Sequence, residues 1–246
     1  MFNIHTVYCD VAVPPRLVNW RFKPDLLRMR YASRYGPLLP FYATLARWYS
    51  GGAIPACQRW AVSRIPAGSH VLFAGPGPGT DVVWAARAGL SLTAVDSCAA
   101  MLRLTQGRLL RAGVDHGVEL KHADVLQLPR TGQYDAVVAQ FFLNVFAPRR
   151  LAHILSSLAG HLNPDGRLII GDFAPAPGGG HLLQQAYHDL PMTVFARLGA
   201  NAKHAIHDLP AHLATAGFAV SERRQFPLFG IGPGWIEGLV AAPARI

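Results

Sequence analysis

The sequence predicts an α/β fold built around a doubly wound, mostly parallel sheet. From residue 69 onward, short β-branched runs alternate with helical patterns, as in successive strand–helix–strand units. The run Tyr134–Gln140 has an unbroken apolar middle, which is typical of a strand buried on both faces of a parallel sheet. Two further strands close the predicted order, and the terminal one is expected to run antiparallel.

Each element is bounded by turn residues or by helix-ending glycines. The clearest helix begins at Pro148, and its apolar residues recur at helical spacing from Leu151 to Leu162. The residues Asn163–Gly166 predict a turn into the next strand. The predicted strands are Ser69–Ala74, Ser91–Val95, Val118–His122, Tyr134–Gln140, Arg167–Asp172, about Ala219–Phe226 and about Trp235–Ala241. The other predicted helices are Thr80–Ala88, Ala99–Arg111, about 181–198 and about 208–216.

The composition indicates a globular protein with a sizeable core. The chain has 246 residues, of which 51% are apolar. Its three cysteines are an odd number without paired spacing, which favours a reducing compartment over a disulfide framework or a cysteine zinc site. No signal peptide and no membrane-spanning run is evident, so a cytoplasmic location is expected.

The net charge of +9 is concentrated near the amino terminus. Residues 1–64 carry nine basic side chains and only two aspartates. A solvated, arginine-rich surface explains this pattern, and so does a site for an acidic substrate or peripheral contact with an anionic membrane. Nucleic acid is not an expected partner, because no stacking-aromatic or zinc-ribbon pattern accompanies the charge.

A glycine-rich turn follows the first predicted strand. Gly75, Gly77 and Gly79 alternate with prolines, directly before a helix. Glycine suits a sharp turn whose backbone must approach a ligand, although a ligand-free tight turn has the same composition. Thr80 stands where the dinucleotide fingerprint G-x-G-x-x-G needs its third glycine, which disfavours a nicotinamide-binding oxidoreductase.

Carboxylates follow the next two predicted strands. Asp96 ends the second strand, where it can accept hydrogen bonds from both ribose hydroxyls, or alternatively cap the following helix. Asp124 follows the third strand, where it can receive an adenine amino group or simply form a turn.

Taken in order, these segments resemble the motifs of class I S-adenosylmethionine (SAM)-dependent methyltransferases. They are GPGPG, AVDSCAAML, HADVLQLP, YDAVVAQFFLNVF and LAHILSSLAGHLNPDGRLIIGDF, and they cover about residues 69–175. The resemblance implies a Rossmann-like fold with S-adenosyl-L-methionine as cofactor. It implies a methyltransferase domain at 65–246, with an acceptor-site insertion at about 174–207, behind a helical, non-independent cap at 1–64.

The resemblance also implies which residues contact the cofactor. Gly75, Gly77 and Gly79 would surround the methionine and ribose, and Asp96 would bind ribose with Ser97 beside it. Met101 and Val125 would sandwich the adenine, next to Asp124. Gln140 and Phe141 would lie beside the methionyl part.

The amino-terminal segment is similar to that of the ubiquinone and menaquinone biosynthesis C-methyltransferases. The shared features are the spacing of Tyr35 and Tyr42, the run Ser50–Gly52, the pair Arg59–Trp60 and the later pair Asn144–Val145. Ala43 replaces the aspartate that usually follows the second tyrosine, so the quinone assignment stays open.

Phe73 departs from the family pattern, which has Asp or Glu at this position to organise the turn and the methionine amino group. One option is that another group, such as Asp81 or a backbone carbonyl, takes over this role. A second option is that SAM is held differently. A third option is a degenerate methyltransferase that binds without catalysis.

Methyl transfer from a sulfonium needs a general base only when the acceptor must lose a proton. His181, His188 and Tyr42 are the candidates, with surface or core roles as the alternative. No metal site is predicted, because His204, His207 and His212 lack ligand spacing. The predicted function is methylation of a small apolar or anionic acceptor, such as a quinone, lipid or secondary metabolite, by a protein that could form a homodimer.

Overall fold

The structure, a computed structural model, describes residues 42–176, 182–189 and 205–244. Seven strands and seven helices follow one another within these ranges. The strands are β1 (His70–Ala74), β2 (Ser91–Asp96), β3 (Val118–His122), β4 (Tyr134–Gln140), β5 (Leu162–Phe173), β6 (Phe218–Phe226) and β7 (Ile236–Pro243). The helices are α1 (Tyr42–Tyr49), α2 (Ala53–Ser63), α3 (Thr80–Arg87), α4 (Ala99–Ala112), α5 (Pro148–Ala159), α6 (182–189) and α7 (Leu209–Thr215).

The seven strands form one sheet in the order β3-β2-β1-β4-β5-β7-β6. The first five are parallel, whereas β7 runs antiparallel to both β5 and β6. The predicted Rossmann-like architecture is therefore confirmed. Strand order reverses between β1 and β4, and in open α/β sheets ligands bind in the crevice at the carboxyl ends of such strands.

The sheet has an apolar core on each face. Because side chains alternate along a strand, Val71 and Phe73 of β1 join the core beneath α2, α3 and α4. Leu72 and Ala74 join the opposite core, beneath α5 and α7. This double burial explains the nearly continuous apolar runs in the sequence.

The amino-terminal helices pack on the first of these faces. Trp60 of α2 lies against Gly238 of β7, where a Cβ atom would collide with the indole ring. The predicted helical character of the cap is seen in α1 and α2, while residues 1–41 lie outside the described part. The division into a 1–64 cap and a 65–246 domain stays a prediction.

The boundary between α5 and β5 differs from the prediction. The helix ends at Ala159, and Leu162 belongs to β5, where it pairs with Tyr134. The next pair joins Ala136 to Arg167, so β5 bulges over the predicted turn Asn163–Gly166 instead of beginning after it. An apolar residue spaced four after Leu158 fits a helix and a strand equally well, which explains the error.

Two further predictions concern helices and membranes. The helix predicted at 181–198 is seen at 182–189, and residues 190–204 lie outside the described part. Among the helices described, none is long and apolar enough to cross a membrane.

Candidate functional site

The glycine-rich turn joins β1 to α3 with all three glycines in the left-handed region. Their φ angles are 62° at Gly75, 54° at Gly77 and 69° at Gly79. A Cβ atom at Gly75 would strike the Phe142 ring, and one at Gly79 would strike Thr105. At Gly77 it would meet no atom within 4 Å, so Gly77 is the glycine that a ligand can approach closely.

Helix α4 holds this turn from the side. The Thr105 hydroxyl donates to the Gly77 carbonyl at 3.0 Å. The Arg108 guanidinium donates to the Pro78 carbonyl at 2.9 Å and to the Thr80 hydroxyl at 2.7 Å. The turn is therefore fixed by side chains as well as by its own backbone.

Asp96 lies at the end of β2, directly beside the turn. One carboxylate oxygen accepts the Gly77 N–H at 3.1 Å, and the other accepts the Cys98 N–H at 2.8 Å. Burial raises the pKa of Asp96 to about 7, although these two N–H groups favour the carboxylate. Each oxygen keeps a lone pair, so the carboxylate can still accept hydrogen bonds from a diol. Cys98, not Asp96, is the N-cap of α4.

Asp124 follows β3 at the same edge of the sheet. The neighbouring Ala123 N–H donates to the Asp96 carbonyl at 3.2 Å, which brings the two acidic residues to adjacent strand ends. One Asp124 oxygen accepts the Leu126 N–H at 3.0 Å and caps a short 3-10 helix that begins at the buried Val125. Asp124 therefore forms a turn, which leaves its predicted adenine contact open.

Ser97 and Met101 lie around the start of α4. The Ser97 carbonyl is 3.0 Å from Nε2 of His122, and Met101 packs half-buried against Cys98 and Ala100. The predicted adenine and ribose residues thus share one edge of the sheet.

The end of β4 contributes Gln140 and Phe141. Gln140 is 8% exposed, and neither atom of its carboxamide has a hydrogen-bond partner within the described part of the chain. Phe141 has a φ of 53°, a strained value for a non-glycine residue, and its N–H donates to the Gly171 carbonyl at 2.6 Å. Strain of this kind clusters at ligand sites.

Phe73 is part of the core and is 1% exposed. It packs within the cluster that includes Cys57 and Trp60 of α2, so its side chain is enclosed by the core. Asp81 is equally buried, and its carboxylate accepts the Val82 N–H at 3.0 Å. Burial raises the pKa of Asp81 to about 6.

Aromatic side chains form a second cluster at the carboxyl end of β5. Phe173 meets Phe141 edge-on at a centroid distance of 5.8 Å and meets the His188 ring at 4.9 Å. Tyr187 lies 5.5 Å from Trp235 and stacks on Tyr49 at 4.4 Å.

Two hydrogen bonds tie α1 to α6 beside these rings. The Tyr49 hydroxyl donates to the Tyr187 carbonyl at 2.9 Å, and the Tyr187 hydroxyl donates to the Tyr49 carbonyl. Sequence reasoning missed this pairing, because nothing local links residues so far apart.

Sequence reasoning also missed Asp172 near the end of β5. It is 1% exposed and accepts the N–H groups of Asn144 at 3.1 Å and Phe173 at 2.9 Å. Burial raises its pKa to about 7, and Glu237, its partner across the β5–β7 pairing, adds to the rise. The sequence did carry a signal for this residue, namely a single acidic side chain at the end of an apolar strand.

The remaining candidates are placed as follows. His181 and His204 lie outside the described ranges, as does Tyr35, and Tyr42 is described only as the first residue of α1. His188 is 4% exposed. Nε2 of His207 lies 2.9 Å from the Phe146 carbonyl, and its ring meets that of His212. Over the described ranges, no group of three metal-ligating side chains occurs.

Residues 71–166 match the protein family described as a methyltransferase domain. The curated relative "Polyketide synthase ThaQ" of Burkholderia thailandensis is 32% identical over 108 residues, which are 43% of this chain and 5% of that protein. The chain thus spans a small fraction of this much longer relative.

Solved structures share the fold of this chain. A 1,6-didemethyltoxoflavin-N1-methyltransferase of Burkholderia thailandensis, with bound 1,6-didemethyltoxoflavin and S-adenosylhomocysteine, has a TM-score of 0.62, 19% identity and coverage of 85% and 88% of the two chains. Magnesium protoporphyrin IX methyltransferase of Synechocystis, with bound S-adenosylhomocysteine, has a TM-score of 0.60, 22% identity and coverage of 83% and 87%. The (4+2)-cyclase SpnF has a TM-score of 0.60, 15% identity and coverage of 86% and 96%.

The predicted resemblance to methyltransferases is confirmed for residues 71–166, and two of the solved structures that share the fold contain S-adenosylhomocysteine. The residues at the carboxyl ends of the strands fit the predicted cofactor, SAM. Gly77 faces open space, the Asp96 carboxylate lies beside it, and the buried Gln140 carboxamide lacks a partner within the described part.

Proposed function

We propose that this chain binds SAM at the carboxyl ends of β1, β2 and β4 and methylates a small apolar or anionic acceptor. One observation carries the proposal: Asp96 is hydrogen-bonded to the backbone of Gly77, the glycine that faces open space. A carboxylate in this position can accept the ribose hydroxyls while it holds the turn. Met101, Asp124 and Val125 would surround the adenine.

The residues of the site would act mainly by positioning. SAM, when bound, supplies a methyl group that its sulfonium already activates. Phe141, held in place by Gly171, and the neighbouring aromatic rings would orient the acceptor and exclude water. Aromatic faces also suit a cationic sulfonium.

The aromatic cluster supports an acceptor with a large apolar surface. Phe141, Phe173, Tyr187 and Trp235 bring four aromatic rings to the carboxyl end of β5, beside the proposed cofactor site. Two structurally similar enzymes are named as methyltransferases of 1,6-didemethyltoxoflavin and of magnesium protoporphyrin IX, and the ThaQ relative is a polyketide synthase. A quinone, lipid or secondary metabolite fits this chemistry, whereas the atom that receives the methyl group is not specified by it.

His188 is the described residue best placed to take a proton from such an acceptor. It lies in α6 against Phe173, and its Nδ1 is 3.6 Å from the Asp189 carboxylate. His188→Ala should lower turnover while leaving cofactor binding within about twofold. His161→Ala removes another buried histidine, which flanks β5 at its opposite end, and serves as the control.

A second candidate function is binding without methyl transfer. It is favoured by the buried Phe73 in place of the family's acid, and by the cyclase whose structure shares this fold. In this case the site would bind a nucleoside without transferring its methyl group.

Calorimetric titration with SAM and S-adenosylhomocysteine tests the proposal. Dissociation constants in the micromolar range are expected, and no binding at several hundred micromolar would reject it. Incubation with methyl-labelled SAM and extracted metabolites then separates the two candidates, since only the enzyme labels an acceptor.

The basic residues of the amino-terminal region support a further proposal, peripheral contact with an anionic membrane. Flotation with vesicles of anionic phospholipid at low and high salt tests it, because screening should release a charge-driven contact. Failure to float at low salt removes the membrane from the proposal. Light scattering during size exclusion tests the proposed homodimer.

A further inference from the structure

Large exposed apolar side chains are gathered in one region of the molecule. In the part of the chain that is described, six of the seven such side chains lie on α1, α6 and the β6–β7 loop (227–235), and each is at least 53% exposed. They are Leu45, Trp48, Leu182, Leu183, Phe229 and Ile231, which together are called the apolar surface. Monomeric proteins rarely leave so many large apolar side chains uncovered in one place, so this surface indicates a contact.

The two helices of the apolar surface contact each other through stacked rings. Tyr49 of α1 stacks on Tyr187 of α6 at a centroid distance of 4.4 Å. Leu45 and Leu183 each lie four residues before one of these tyrosines, and therefore on the same face of its helix. The exposed leucines thus flank the stacked rings, although they come from distant parts of the sequence.

The β6–β7 loop is fixed against the end of α1, with apolar side chains pointing outward. The Phe229 N–H donates to the Ser50 carbonyl at 3.4 Å, and Gly51 makes room for the Phe229 ring, which a Cβ atom there would strike. Phe229 has a φ of 55°, a strained value for a non-glycine residue. Because the ring is largely exposed, its burial does little to offset this strain. Packing within the chain therefore does not explain a phenylalanine at this position.

The charge next to the apolar surface is mainly positive. The β6–β7 loop has no charged residue, and Arg47 is the one charged residue of α1. Residues 1–41 run directly into α1 and carry six basic side chains against two aspartates. An anionic bilayer matches both features, because its acyl chains accept apolar side chains and its headgroups attract basic ones. A second copy of the chain would instead bring two basic segments together.

We infer that the apolar surface docks on an anionic membrane, with Trp48, Phe229 and Ile231 entering the boundary between headgroups and acyl chains. The inference rests on the proposed function, because this surface borders Tyr49 and Tyr187 at the proposed acceptor site. A docked protein would receive an apolar acceptor from the lipid instead of from water. Insertion of apolar side chains adds to the attraction between charges, and it persists when salt screens those charges.

Flotation with vesicles of phosphatidylcholine and phosphatidylserine tests the apolar surface. Phe229→Asn combined with Ile231→Ser removes two large apolar side chains, and asparagine tolerates the left-handed backbone at position 229. Partitioning of this double variant into the vesicles should fall about 10-fold or more, because less apolar surface leaves water. Leu110→Ser, at an exposed position on α4, is the matched control and should partition like the parent protein.

Tryptophan fluorescence reports insertion directly. Vesicles of the same composition with brominated acyl chains should quench the parent protein, since bromine quenches indole rings that reach it. Trp48→Phe should lose most of this quenching, because Trp60 and Trp235 are buried. Thermal unfolding without vesicles should match the parent protein for each variant, since the replaced side chains are exposed and support little of the fold.

The outcomes distinguish the apolar surface from the proposed function. If the parent protein binds S-adenosylhomocysteine but does not float at low salt, the surface is refuted and the proposed function stands. If it floats without binding S-adenosylhomocysteine, the proposed function fails and the docking surface stands.

Two further results would refute the apolar surface alone. Equal flotation of the double variant, with complete release of the parent protein at high salt, would show that charges make the contact by themselves. A parent protein that elutes as a dimer, with a monomeric double variant, would assign the surface to a second copy of the chain.

Discussion

The two halves of the site are held together over different distances along the chain. The proposed cofactor half comprises the glycine-rich turn, Asp96 and Asp124. Its Asp96–Gly77, Thr105–Gly77 and Arg108–Pro78 hydrogen bonds join residues 19, 28 and 30 positions apart. The proposed acceptor half comprises the aromatic cluster with α1 and α6, and its Tyr49–Tyr187 hydrogen bond spans 138 positions.

This difference has a physical consequence. The cofactor half is built within consecutive strand–helix units, so it is stabilised by the central sheet itself. The acceptor half depends on short helices that contact each other through a few side chains. Segments with few buried contacts open more readily, so the acceptor half can adapt its shape while the cofactor half stays fixed.

The largest expected effect is the loss of cofactor binding in Asp96→Ala. The change removes the acceptor of the Gly77 and Cys98 N–H groups together with the proposed ribose ligand. Calorimetry should show at least a 100-fold weaker affinity for S-adenosylhomocysteine, since several hydrogen bonds to a charged group are lost.

Asp135→Ala is the matched control for that change. Asp135 accepts the His70 N–H at 2.7 Å and the Asn163 side-chain amide at 2.6 Å, at the opposite end of the sheet. Its loss should lower stability while leaving the affinity unchanged. Equal affinities in both variants would contradict the assignment of Asp96.

The next largest effect is the loss of stability when a glycine with positive φ is replaced by alanine. Two glycines on either side of α3 separate the cost of steric contact from the cost of backbone strain. Gly75 and Gly89 both have positive φ, at 62° and 75°, but only at Gly75 would a Cβ atom collide, with Phe142. Urea unfolding should show a loss of about 1–2 kcal/mol for Gly89→Ala from left-handed strain alone. Gly75→Ala should cost about 3 kcal/mol or more because overpacking is added, and similar losses would contradict the described turn.

The pH dependences of binding and of folding should have opposite signs. Burial raises the pKa of Asp96 and of Asp172 to about 7, above their values in the unfolded chain. Between about pH 4 and 7 the folded protein therefore binds more protons than the unfolded chain, and the ligand-free protein loses stability as pH rises.

Cofactor binding needs the Asp96 carboxylate, so it should weaken about tenfold per pH unit below 7. Calorimetry and thermal unfolding at pH 5.5, 6.5 and 7.5 measure both trends. In Asp172→Asn the trend in binding should persist, and its disappearance would assign the effect to Asp172 instead.

The smallest expected effect lies in the acceptor half. Tyr49→Phe removes the hydrogen bond to the Tyr187 carbonyl and keeps the stacked ring. Amide hydrogen exchange in α6 should quicken about fivefold, as expected when about 1 kcal/mol of local stability is lost. Affinity for S-adenosylhomocysteine should stay within twofold, and a parallel loss of affinity would show that the two halves are coupled.

The proposed cofactor half is easier to recognise in the sequence than the proposed acceptor half, for the same reason. The glycine-rich turn, Asp96 and Gln140 are recognisable because each ends or follows a strand whose apolar run is local. Leu162 was misplaced because a local pattern cannot choose between the end of a helix and the start of a bulged strand. The pairing of Tyr49 with Tyr187 and the burial of Asp172 depend on contacts between distant segments, which no local pattern records.

The position of β7 has a consequence for how the chain folds as it is synthesised. β6 pairs only with β7 in the described sheet, and β7 fills the place between β6 and β5. When β6 leaves the ribosome it therefore has no strand to join, and one edge of β5 stays open until β7 follows. An unpaired edge is a template for association with other chains. Nascent chains stalled before residue 236 should thus recruit chaperones or aggregate, although the cofactor half is already complete.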